Sequence, residues 1–96
     1  MIVSQTIISD ALHLLQATYT ELIRVYDPEV YNPLCLCGAA AAEGMTEELL
    51  TNYTPEFFSN DEATLIMDVH ELCGEILNQY DRMKETEEWR PQNNKQ

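Results

Sequence analysis

Four thiol and imidazole side chains stand at spacings that could ligate a metal: Cys35-x-Cys37 and His70-x-x-Cys73. Zinc is the ion such donors would take, in a tetrahedral site. On a helix, His70 and Cys73 would lie about 60° apart round the axis, on one side. Structural zinc sites, however, usually separate paired cysteines by about two to four residues, and Cys35 and Cys37 are closer than that. Cys73 also falls on an apolar stripe, where a thiol packs as a small hydrophobe. Zinc at Cys35, Cys37, His70 and Cys73 is therefore a third expectation, behind two readings as an interaction protein. No cofactor is expected.

The carboxylates offer a different chemistry. Asp68, Glu71 and Glu75 would be neighbours on one helix, with no basic residue between them, their β-carbons about 5–6 Å apart. Like charges at that spacing cost a few tenths of a kcal/mol per pair, so the stripe does not stabilise its own helix. It can serve as a solvated face that keeps the chain soluble. It can also imitate the phosphate row of a nucleic acid and dock on an arginine- and lysine-rich groove. Asp61, Glu47 and Glu48 are predicted to extend that surface, with Asp10, Glu21 and Glu43 beyond them.

Catalytic arrangements are not evident. Asp10 and His13 have helical spacing, but a di-iron carboxylate bundle needs two Glu-x-x-His pairs and two further glutamates. Neither His13 nor His70 has a serine or acid at a spacing that suggests nucleophilic catalysis. Gly38, Gly44 and Gly74 are isolated, so no phosphate-cradling loop is present. The run His70-Glu71-Leu72-Cys73-Gly74-Glu75-Ile76 resembles the metal-binding helix of MazG-type nucleotide pyrophosphohydrolases. That resemblance implies an all-α fold with clustered glutamates on magnesium. The family's pattern also has a second acidic helix downstream, with Glu-x-x-Asp spacing, and here the chain continues into a polar tail. No enzymatic activity is expected.

Charge narrows the class of partner. The 96 residues hold 17 acids and 5 bases, for a net charge of −12. Arg24 is the one base before Arg82; Lys84, Arg90 and Lys95 follow it. Such a body repels nucleic acid and anionic membrane and attracts basic protein surfaces, at a rate that falls as salt is added. An apolar fraction of 45% is ordinary for a globular chain. Three cysteines are an odd number, which suits free thiols in a reducing compartment better than a disulfide framework. No apolar run approaches the roughly 18–20 residues that span a bilayer. The N-terminal MIVSQTIISD lacks a basic n-region. A cytoplasmic location is expected, the host cytoplasm if the chain is phage-encoded.

The elements that must position these groups read as helices. Ile8, Leu12, Leu15, Tyr19, Leu22 and Tyr26 repeat at alternating four- and three-residue steps, which predicts an amphipathic helix over about 4–26. Ile7, Ala11 and Leu14 are expected to widen its buried stripe. Ile66, Val69, Cys73, Ile76, Tyr80 and Met83 predict a second long helix over about 60–84, opened by a Ser59/Glu62 capping box. Between them, Asp27-Pro28, Asn32-Pro33, Thr54-Pro55 and the run from Thr46 are helix-start signals. They predict short helices near 33–43, 46–52 and 55–58. The small residues Gly38 and Ala39 to Ala42 would let another helix approach closely.

The expected fold is thus all-α: a small bundle of two long helices that bury each other antiparallel, covered by short ones. Residues 1–84 form the acidic domain and 85–96 a polar tail containing Trp89. The leading functional expectation is a non-enzymatic interaction protein of the kind phages and mobile elements use as inhibitors. Its acidic surface would occupy a basic nucleic-acid-binding site on a partner protein, by mimicry, without binding nucleic acid or membrane itself. The alternative is an oligomerisation or adaptor protein, a homodimer for instance, that pairs surplus apolar residues such as Leu14, Leu65, Leu72 and Leu77.

Overall fold

In the computed structural model, which describes residues 5–53 and 55–85, all regular structure is helical. Helix α1 (Gln5–Val25) forms where the apolar spacing predicts it. Ile8, Leu12, Leu15 and Leu22 are buried, and Tyr19 and Tyr26 are packed at the edge of the core. Ser9, His13, Gln16 and Thr20 face outward. Ile7 and Leu14 do not widen the buried stripe; they are 61% and 54% exposed. The reason is packing: α1 meets the other two helices along a narrower strip than they share with each other.

Helix α2 (Pro33–Asn52) is one continuous helix, where two short ones were expected. Asn32 caps it in extended geometry, its side-chain oxygen accepting from the amides of Leu34 and Cys35 at 3.0 and 3.2 Å. Gly44 does not stop the helix, and Thr46 does not start one. Thr46 is fully buried, and its hydroxyl lies 2.9 Å from the Glu43 carbonyl. The seam residues of α2 are Cys35, Ala39, Ala42, Thr46 and Leu49, again at four- and three-residue steps. Because Gly44 is exposed and an added Cβ would meet nothing within 4 Å, Gly44→Ala should raise the unfolding free energy by about 0.5–1 kcal/mol. Urea denaturation at constant m-value measures it; a loss would mean that α2 needs a break there.

A single 3₁₀ turn, Pro55–Phe57, stands where the third short helix was expected. Helix α3 (Asn60–Glu85) opens with the predicted capping box. The Ser59 amide donates to the Glu62 carboxylate at 2.9 Å, and the Glu62 amide donates to the Ser59 hydroxyl at 3.1 Å. Ile66, Val69, Cys73, Ile76 and Tyr80 are all buried. Residues 86–96, and Trp89 with them, lie outside the described residues.

The three helices pack up, down and up, with α2 and α3 forming the main interface. The small seam residues Ala39 and Ala42 allow this close approach. Tyr80 near the end of α3 sits edge-on to Tyr26 and Tyr31, with ring centroids 6.0 and 5.2 Å apart. Gln79 donates to the Pro28 carbonyl at 2.7 Å. The ends of α1 and α3 therefore meet, so these helices run parallel, not antiparallel as expected. Each is antiparallel to α2. The result is an elongated bundle of 53 × 25 × 17 Å.

Candidate functional site

The three carboxylates at the centre of the acidic stripe converge on one feature. Asp68, Glu71 and Glu75 project from the outer side of α3 and line a shallow cleft of about 380 Å³ together with Leu72 and Tyr19 of α1. All three acids are exposed. Asp61, seven residues before Asp68, prolongs the row along the same helix side and is also exposed. Glu47 and Glu48 belong to the outward side of α2, since Thr46 beside them faces the core, and the Asn52 side chain donates to Glu48. They add to the field of the molecule rather than to this cleft.

The negative field is not cancelled within the body. The described residues include fifteen Asp and Glu against three bases, Arg24, Arg82 and Lys84. Fifteen acids less three bases leave twelve negative charges that no described Lys or Arg neutralises. Arg24 is held by Glu21 on its own helix, and that pairing lowers the Glu21 pKa. Thirteen of the fifteen acids are exposed. The field also reaches inward: burial first, then the Glu75 carboxylate, push the Tyr26 phenol above its usual pKa.

The four metal candidates do not meet. Cys35 and Cys73 are buried in the core, Cys37 is exposed, and among the described residues no three His, Cys, Asp or Glu side chains are grouped to hold a metal ion. His70 has a packing partner instead, its Nδ1 lying 3.0 Å from the Thr46 hydroxyl. The Thr46 hydroxyl has one proton to give, to the Glu43 carbonyl or to Nδ1, so the direction of the His70 bond follows the imidazole tautomer. Burial, reinforced by Glu43 and Cys35, pushes the Cys73 thiol up to about 11. Iodoacetamide at about pH 8 is accordingly expected to label Cys37 in the folded protein, and Cys35 and Cys73 only after denaturation. Mass spectrometry of the labelled chain reads this directly, and rapid native labelling of Cys73 would contradict the buried placement.

Tyr19 and Leu72 were not anticipated beside the acids. The signal was present: Tyr19 closes the α1 stripe on the side that parallel packing turns toward Asp68 and Glu75. The Tyr80 hydroxyl is buried near the Cys35 thiol and the Asn32 backbone, and among the described residues no group meets it in full hydrogen-bond geometry. Burial, then that thiol, raise its pKa. Compared with models of known protein families, with curated proteins and with solved structures, the chain finds no match.

Proposed function

We propose that the chain is a non-enzymatic interaction protein whose acidic surface occupies a basic, nucleic-acid-binding site on a partner protein. One observation carries this reading: among the described residues fifteen acids stand against three bases, on a scaffold of three packed helices. A field of one sign, held on rigid elements, steers a partner of opposite sign and orders the encounter.

The test is capture from the source cell by the immobilised chain at two ionic strengths, with and without single-stranded nucleic acid as competitor. The expected result is a basic protein retained at low salt, released at moderate salt, and displaced by the competitor. A retained protein that single strands and duplex both fail to displace would contradict the mimicry. The exposed apolar residues Ile7, Leu14 and Leu34 favour a second mode of contact, on another face of the bundle.

A further inference from the structure

An outer groove between α1 and α2 encloses about 550 Å³, and it is apolar where the α3 cleft is acidic. Its walls are Ala17, Leu22 and Val25 from α1 and Leu34, Cys35 and Gly38 from α2. Leu34 stands at its mouth, 82% exposed despite being a leucine. Gly38 keeps the α2 wall low: an added Cβ there would touch only the Leu22 side chain, at 3.7 Å. The groove does not end at the cavity. On α1, Ile7, Leu14, Thr18 and Val25 fall within about 40° of one another round the axis, so the exposed Ile7 and Leu14 continue its line. From Ile7 to Val25 that line runs roughly 27 Å.

A linear apolar groove between two antiparallel helices is the seat of a further helix, recognised through residues at three-, four- and seven-residue steps. Charge selects which helix. A second copy of this chain would bring another −12 to the face, and the α1 side of the groove is already flanked by the exposed acids Asp10 and Glu21. Apposing like fields costs association, whereas a helix with basic flanks gains from both surfaces. We infer that the α1/α2 groove receives an amphipathic helix with an apolar face and lysine- or arginine-rich flanks, presented by a partner protein. The inference rests on the acidic-docking reading for its charge and on the groove for its specificity.

A synthetic leucine–lysine amphipathic peptide of about 18 residues, roughly 27 Å as a helix, is the probe, with polylysine of equal charge as the control. Calorimetric titration at low salt is expected to give an affinity for the peptide about tenfold or more above that for polylysine, since burying one or two leucines suffices for that ratio. Leu34→Glu separates apolar from electrostatic contact, because Leu34 is exposed and an acid in the first turn of α2 suits the helix dipole. It should weaken the peptide about tenfold while leaving or strengthening polylysine binding. Gly38→Leu, which fills the groove, should weaken the peptide alone. Equal affinities for peptide and polylysine, or a Leu34→Glu variant that binds both more tightly, would overturn the groove and leave the acidic reading standing. Peptide binding that is groove-dependent but unaffected by salt, with no polylysine binding, would support the groove's apolar role and count against the acidic reading.

Discussion

Ile76→Ala is expected to lower the unfolding free energy by about 2–5 kcal/mol. A chain of this size has only about 5–15 kcal/mol to lose, so the variant will be near its folding limit at physiological temperature. Ile76 is completely buried, one step before Tyr80 and one after Cys73 on the stripe that α3 turns inward. Removing its branched side chain leaves a cavity that α2 cannot close by sliding, because α2 already lies close there through Ala39 and Ala42. Leu14→Ala is the matched control. It removes as many carbons from the α1 stripe, but from a side chain left 54% exposed, so its cost should stay within about 1 kcal/mol. Urea denaturation of both variants against the parent decides the seam assignment. Equal losses would mean that α1 packs in another rotation.

The second large effect concerns binding. Replacing Asp68 with Asn and Glu71 and Glu75 with Gln should weaken the proposed partner roughly ten- to hundredfold at low salt. The three carboxylates share one cleft, and neutralising them removes the densest part of the field while preserving side-chain shape. The folded state should be unharmed or slightly stabilised, since the substitutions relieve repulsion between like charges one helical turn apart. Circular dichroism and thermal melting provide that control. A variant that melts normally and binds unchanged would assign the acid stripe to solubility alone.

Sequence reading found those elements whose seams are built from large side chains. In α1 and α3 the buried positions are Ile, Leu, Val and Tyr at alternating steps, with Cys73 the one small member, and the hydropathy pattern exposes them. The seam of α2 repeats with the same steps, but it is made of Cys35, Ala39, Ala42, Thr46 and Leu49. Small and polar residues carry little hydropathy contrast, so the pattern divides this stretch near 33–43 and 46–52, with Thr46 as a start. What keeps Thr46 inside the helix is tertiary: its hydroxyl lies between the Glu43 carbonyl and His70, 24 residues away. The parallel course of α1 and α3 was hidden for the same reason, since it follows once α2 is a full-length helix with short connections on both sides. The exposed side of each acid was legible from helical phase alone. Their meeting with Tyr19 depends on the helix order and was not.

The most direct test of the account is the salt dependence of partner affinity, measured on the captured and purified partner from about 0.05 to about 0.5 M monovalent salt. Over that range the screening length contracts from more than 10 Å to about 4 Å. The parent chain should lose affinity steeply, and the Asp68/Glu71/Glu75 neutralised variant should start weaker and fall along a shallower line. Superimposed lines for the two proteins, or an affinity indifferent to salt, would show that the negative field is not what the partner recognises.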